Sequence, residues 1–147
     1  MSITFYDDHG IRFDYPADWE IEVMDDDDSV TTVSLQSPEG PAFALVTVDE
    51  SRPVPEEIAD AALDAMREEY PGLDASLASE TIGGHAAVGY DVEFLSLDLT
   101  NACVIRCFRT ERRTVLLFGQ WSDLEDEATR AVLDGVRTSF EEPDADG

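Results

Sequence analysis

The chain has 147 residues, enough for one domain with a sizeable core, and apolar residues make up 43% of it. Nine arginines, no lysine and 34 carboxylate side chains give a formal charge of −25 at pH 7. Such a surface repels nucleic acid and anionic membrane, and the absence of lysine excludes the P-loop clamp, the Schiff base and a lysine general base.

The first third of the chain predicts strands. Asp-Asp-His-Gly at residues 7–10 is turn chemistry suited to a hairpin, and alternation after it places Trp19, Ile21 and Val23 on one inward face. The last of these strands is apolar on both faces, which indicates a central position. The predicted strands cover residues 3–6, 11–15, 18–24, 29–37 and 42–48.

A helix follows, because Pro55 and two acidic residues open a helical repeat that Pro71-Gly72 ends. Strands are then predicted at residues 75–82, 85–97, 99–108 and 114–121. Ser122 and Glu125 match a capping box for a second helix. Its predicted buried stripe is Leu124, Ala128, Ala131, Val132, Val136 and Phe140.

The order of five strands, a helix, four strands and a helix predicts an α+β fold. We expect a twisted antiparallel sheet with helices on both faces. Residues 1–141 are interpreted as a single domain and residues 142–147 as an acidic disordered tail. Neither a signal-peptide pattern nor a run of about 18 apolar residues occurs, so a cytoplasmic location is expected.

Residues 13–19 read Phe-x-Tyr-Pro-x-x-Trp and resemble an opening motif of the PsbP-like superfamily. That superfamily also includes a eukaryotic Ran-binding nuclear-import factor and bacterial proteins of the DcrB and Eag-chaperone types. The order of elements agrees over nearly the whole chain. The resemblance implies a helix-flanked antiparallel sheet and non-enzymatic work such as binding a protein partner, assisting assembly or chaperoning.

The two cysteines, Cys103 and Cys107, lie on one predicted strand. Four residues of extended chain separate their Cα atoms by about 13 Å, beyond the ~7 Å limit for a disulfide. They share a face with Ile105 and are interpreted as small buried hydrophobic residues. A reactive thiol is the alternative.

Metal and catalytic patterns are weak. The aspartates at residues 25–28 invite a calcium hypothesis, but Val30 and Gln36 occupy positions where an EF-hand needs glycine and glutamate, so a solvated turn is favoured. The histidines, His9 and His85, lack metal-ligand spacing. No metal and no cofactor is predicted. A hydrolase using an Asp/Glu pair and an acidic divalent-cation-binding protein remain alternatives.

Two groups of residues are candidates for binding a partner. Four arginines gather within eight residues around a predicted turn, where they would orient an acidic peptide or neutralise nearby carboxylates. Tyr15 and Trp19 are either structural or part of the same surface. The candidate partner-binding residues are Tyr15, Trp19, Arg106, Arg109, Arg112 and Arg113.

We therefore expect a non-enzymatic protein-binding or chaperone-type module that is a monomer or a weak homodimer. Its partner would be another protein or a peptide, without nucleic acid and without membrane insertion. The acidity agrees with a high-salt cytoplasm and equally with a GC-rich genome that favours aspartate codons.

Overall fold

The structure is a computed structural model that describes residues 2–25, 29–38, 40–124 and 127–143. The order of elements agrees with the sequence prediction throughout. The strands are β1 (Ile3–Asp8), β2 (Ile11–Pro16), β3 (Glu20–Asp25), β4 (Val30–Gln36), β5 (Phe43–Asp49), β6 (Asp74–Ile82), β7 (His85–Ser96), β8 (Leu99–Arg109) and β9 (Thr114–Ser122). The helices are α1 (Pro55–Glu69) and α2 (Glu127–Ser139).

Seven strands form one antiparallel sheet in the order β3-β4-β5-β9-β8-β7-β6, and β1 and β2 form a separate hairpin. The pairing of β5 with β9 joins the early strands to the late ones. An antiparallel α+β fold is thus confirmed. The described helices include none that is long and apolar enough to span a membrane.

Three hairpins use two-residue turns in which both central residues have positive φ, as a type I′ turn requires. Gly83 and Gly84, with φ of 57° and 84°, adopt this conformation without steric cost in the β6–β7 turn. Leu97 and Asp98 adopt it in the β7–β8 turn with φ of 54° and 64°. A leucine side chain disfavours such a turn, so pairing of the two long flanking strands holds it there.

The buried side chains form two clusters that take alternate residues from the same strands. Val115 and Leu117 of β9 belong to one cluster, which also contains side chains of α2 and of the β1–β2 hairpin. Leu116 and Phe118 pack against the other, which contains α1 and both cysteines. Successive residues of a strand point to opposite faces, so the β9 side chains of the two clusters point in opposite directions.

The prediction of an inward face on the third strand was only partly right. Trp19 is buried, but Ile21 and Val23 remain 36% and 41% exposed. The reason is the position of β3, which lies at the edge of the sheet and, among the described strands, has β4 as its one neighbour.

The predicted stripe of the second helix was wrong at two positions. The described helix begins at Glu127, so Leu124 precedes it and is exposed. Ala131 is exposed too, whereas Leu133 is buried with Val136 and Phe140. Glu125 and the side chain of Ala128 lie outside the described residues.

Candidate binding groove and arginine network

An open groove of about 650 Å³ lies beside α2. This helix packs on β2 and β9, and the neighbouring sheet surface of β6, β7 and β8 provides much of the groove lining. Alternate strand residues that share the face of the α2 cluster point into it. The lining includes Asp74, Asp91, Glu93, Arg106, Trp121, Asp123, Arg130 and Arg137.

Arg106 anchors the floor of this groove. Its guanidinium is buried and donates to Glu80 Oε2 at 2.7 Å and to Asp91 Oδ1 at 2.8 Å. The same side chain donates to the backbone carbonyls of Tyr90 and Ile105, at 3.2 and 3.0 Å. A buried arginine is tolerable only with such complete pairing, and here the partners come from three adjacent strands.

Glu80 links this arginine to α2. Its Oε1 accepts a hydrogen bond from Arg137 Nε at 2.9 Å, so the carboxylate bridges two guanidinium groups. Arg137 also contacts Asp134 one helical turn away, at 3.3 Å. Burial raises the pKa of the Glu80 carboxyl, but the hydrogen bonds and charges of Arg106 and Arg137 outweigh it and lower the pKa below its usual value.

Gly89 allows β7 and β8 to approach closely at the same place. A Cβ atom at this position would lie 1.8 Å from the carbonyl oxygen of Ile105, the same oxygen that accepts from Arg106. No side chain fits there without backbone movement.

The remaining charges of the groove face its opening. In the described part of the chain, Asp74, Glu93 and Asp123 form no ion pair and no side-chain hydrogen bond. Arg130 lies 5.5 Å from the ring centroid of the half-buried Trp121, a cation–π distance. The groove therefore combines a fixed floor with three exposed carboxylates, and Arg130 lies over its aromatic ring.

Arg113 serves a different structural purpose. Its Nη1 donates to Glu142 Oε2 at 2.6 Å and to the Gly10 carbonyl at 3.2 Å, and the Thr110 hydroxyl donates to the same Glu142 oxygen at 2.8 Å. The contact ties the β1–β2 turn, the β8–β9 turn and the segment after α2 together. Glu142, the first residue of the predicted tail, is thus held by two side chains.

Arg109 and Arg112 lie on the outside of the same β8–β9 turn. Both are exposed; Arg109 donates to the Arg52 carbonyl at 3.3 Å. Of the four clustered arginines, two are therefore fixed inside the fold and two face solvent. The binding of a partner by these four arginines stays a prediction.

Tyr15 and Trp19 lie far from this turn. Arg113 contacts Gly10 immediately before β2. Tyr15 lies five residues along that strand, about 17 Å away at 3.3 Å per residue, and Trp19 lies beyond its far end. Tyr15 is half-buried, with its ring centroid 6.2 Å from that of Phe13, and Trp19 is in the core. The structure thus divides the predicted surface in two, and its role in binding stays a prediction.

The thiols are enclosed. Cys103 and Cys107 are buried with Ile105 in the α1 cluster, and Cys103 Sγ lies 3.3 Å from Met66 Sδ. Burial, with smaller contributions from Asp91 near Cys103 and Glu56 near Cys107, raises the pKa of each thiol to about 12. They remain protonated at neutral pH and are poor nucleophiles.

The metal hypothesis centred on residues 25–28 falls largely outside the described residues, since only Asp25 is described. Its carboxylate accepts from Thr31 Oγ1 at 2.6 Å and lies 3.8 Å from His9 Nε2. Within residues 2–25, 29–38, 40–124 and 127–143, no group of three or more histidine, cysteine or acidic residues is arranged to hold a metal.

Sequence reasoning missed Glu80, Asp91, Trp121 and Arg137 as parts of a site. One signal was present: Glu80 precedes the buried Ile82 by two residues, which places a carboxylate on the inward face of a strand. Its arginine partners are 26 and 57 residues away, so only the folded chain brings them to it.

Comparisons with known proteins agree on the fold. No protein-family model and no curated protein matches the sequence. The solution structure of cyanobacterial PsbP from Synechocystis is similar, with a TM-score of 0.62 and 17% identity, covering 97% of this chain and 93% of that one. LpqN of Mycobacterium tuberculosis, which is involved in cell envelope biogenesis, has a TM-score of 0.58 and 15% identity over 95% and 90%.

A crystal structure from Bacteroides thetaiotaomicron has a TM-score of 0.56 and 12% identity. The match covers 94% of this chain and 47% of that protein, so the chain spans about half its length. These identities are low, and the likeness therefore concerns the fold alone. Together the comparisons confirm the expected resemblance: the chain has a PsbP-like fold.

Proposed function

We propose that this chain is a non-catalytic protein-binding module of the accessory or assembly type, and that the groove beside α2 is its binding surface. The main support for this proposal is the carboxylate of Glu80, which binds both Arg106 and Arg137 and fixes them under the groove. A prearranged floor lowers the ordering cost of binding. The unpaired Asp74, Glu93 and Asp123 then suit a partner segment that carries basic side chains.

We also propose how the two helices are arranged on the sheet. We infer that α1 and α2 cover opposite faces of the sheet, because α1 side chains belong to the cluster of Leu116 and α2 side chains to that of Leu117. On that arrangement α2 leaves the β6–β8 part of its face open, and the groove results. Placement in the cytoplasm belongs to the proposal as well.

Two observations favour binding over catalysis. Both thiols are protonated at neutral pH, and the half-buried carboxylate of Glu80 beside the groove has a lowered pKa and is occupied by two arginines. A general acid needs a raised pKa and a free proton. The name of one structural neighbour, LpqN, refers to cell envelope biogenesis, and an assembly role here is an analogy to it.

The test is a pull-down with the purified chain at physiological salt and at molar salt, since either is a candidate working condition. Retained proteins are identified and titrated against the chain by calorimetry. We expect saturable binding that weakens about tenfold in the double variant Glu93→Lys, Asp123→Lys, because two groove carboxylates change sign.

The matched control is Glu68→Lys with Glu111→Lys, two exposed acidic residues outside the groove that give the same change of net charge. Binding that both double variants weaken equally would be a bulk charge effect and would contradict the groove as the site. Absence of a saturable partner at both salt concentrations would contradict protein binding itself.

A further inference from the structure

We propose that β3 binds an extended peptide segment by strand addition, and that this segment alternates apolar residues with lysine or arginine. The site lies at the opposite edge of the sheet from the groove. The two proposed sites therefore have in common only the class of ligand, a protein segment that carries basic side chains.

Within the described residues, the backbone of β3 is free on its outer side. The strand is the first of the seven, and its ladder runs to β4 alone. No backbone hydrogen bond joins Glu20–Asp25 to any described residue other than those of β4. An edge of this kind presents unpaired N–H and C=O groups at the spacing that another extended chain needs.

One face of β3 continues the apolar rows of the sheet. In the register, Ile21 lies opposite Leu35 and Val23 opposite Val33. Leu35 and Val33 are completely buried, whereas Ile21 and Val23 keep about two fifths of their surface in water. A further strand with apolar residues at alternate positions would cover Ile21 and Val23 and extend the core by one row.

The other face carries charge. Glu20 and Glu22 are exposed and point away from Ile21 and Val23, because successive strand residues alternate. Met24, 48% exposed, shares their face. Opposite these carboxylates a neighbouring strand is stabilised by basic side chains.

The charge pattern of β3 favours one kind of ligand over the others that an edge strand can bind. Two copies of β3 paired edge to edge would bring like carboxylates together, which is unfavourable. Anionic lipid is repelled by the same groups and by the net charge of −25. A heterologous basic and apolar segment of about five residues satisfies the backbone, the apolar face and the charged face together.

The other edge strand, β6, does not have an apolar face on one side and an acidic face on the other. Leu77 is 84% exposed there, but Ala75 and Ser79 flank it on the same face, and the acidic Glu80 is held by Arg106 and Arg137. β6 therefore serves as an internal reference in the experiment.

The probe is the blocked hexapeptide (Lys-Val)₃, titrated by calorimetry at 0.15 M and at 1 M salt, where the Debye lengths are roughly 8 Å and 3 Å. We expect saturable one-to-one binding with hydrogen-exchange protection in residues 20–25. A peptide with N-methylated valines should lose at least about tenfold in affinity, because it cannot complete the ladder on that edge.

Charge reversal tests specificity. Glu20→Arg with Glu22→Arg should weaken binding of (Lys-Val)₃ about tenfold and create binding of (Glu-Val)₃, whereas Glu68→Arg with Glu111→Arg should do neither. If the first double variant does not fold, Ile21→Thr with Val23→Thr keeps strand propensity and should also weaken binding.

Several results would overturn the proposal: equal affinity of the methylated peptide, protection at β6 instead of β3, or equal loss in the control pair. Dimerisation through β3 in place of peptide binding would do the same. Each outcome is distinguishable from failure of the proposed function, since variants of Glu93 and Asp123 report on the groove alone.

Discussion

Arg106 and Arg113 lie seven residues apart, and both are buried, yet they stabilise different parts of the molecule. Arg106 lies within the sheet and is paired with two carboxylates and two carbonyls drawn from β6, β7 and β8. Arg113 lies at a turn with one carboxylate and one carbonyl, and its buried Nε has no partner among the described residues. Regular strand pairing positions the first site, and loop packing positions the second.

The two sites differ in how strongly each depends on its charged partner. Removing the Glu80 carboxylate from the Arg106 site deprives two guanidinium groups of a partner, because Glu80 binds both Arg106 and Arg137. At the Arg113 site, Glu142 pairs with a single arginine and also accepts a hydrogen bond from the Thr110 hydroxyl. We therefore expect the loss of a charged partner to have a larger effect at the first site than at the second.

Glu80→Gln is expected to have the largest effect. It removes the negative charge shared by Arg106 and Arg137, and loss of one partner of a buried pair costs about 3 kcal/mol. The free energy of unfolding, measured by urea titration, should fall by that amount. A loss below about 1 kcal/mol, the level of a surface ion pair, would show that the network contributes little.

The pH dependence sharpens this prediction. Because the folded-state pKa of Glu80 is lowered, its contribution is present above the usual glutamate range and is lost as pH falls through the folded-state pKa. The wild-type chain should therefore lose more stability than Glu80→Gln between pH 6 and pH 3 (a span around the usual value of about 4.3). Parallel curves for the two proteins would contradict the assignment.

Gly89→Ala should rank second, with a loss of about 2 kcal/mol, because the new methyl group meets a backbone carbonyl instead of a flexible side chain. Thermal unfolding followed by circular dichroism measures it. Gly72→Ala is the matched control, since no atom lies within 4 Å of a Cβ at that position.

Arg113→Met should destabilise the chain by about 1.5 kcal/mol, since Glu142 loses its cation but keeps the hydrogen bond from the Thr110 hydroxyl. Hydrogen exchange should increase in the β1–β2 turn and after α2, with the β6–β8 core unchanged. Increased exchange throughout the sheet would show that the two arginine sites are equally central.

Arg112→Ala should have the smallest effect, within about 0.5 kcal/mol, because this side chain is exposed and lies outside the described ion pairs. Chemical denaturation of the variant beside Arg113→Met checks it directly. A loss as large as that of Arg113→Met would contradict the division of the cluster into buried and exposed arginines.

Much of the fold was predictable because its signals are local. Turn residues such as Gly83-Gly84 and the alternation of residues 85–97 act within a few residues of themselves. The predicted buried stripe of α2 began too early, because Leu124 continues the apolar pattern before the helix begins. The pattern alone does not distinguish an apolar residue within a helix from one that precedes it. Ile21 and Val23 have the alternation of a buried strand, and only the order of strands in the sheet leaves them exposed.

The candidate site was much less predictable. The clustering of Arg106, Arg109, Arg112 and Arg113 is visible in the sequence, but their separation into buried and exposed pairs depends on Glu80 and Glu142, which lie 26 and 29 residues from the arginines they bind. The groove itself requires α2 to lie beside three strands that precede it.

By itself, the sequence determined the succession of strands and helices, the burial of both thiols and the antiparallel class, because periodicity and turn chemistry operate over a few neighbouring residues. Only the tertiary structure decided that β5 pairs with β9, that β3 lies at an edge and that two arginines share Glu80. These features depend on which distant segments exclude water together, and that free energy belongs to the folded chain as a whole.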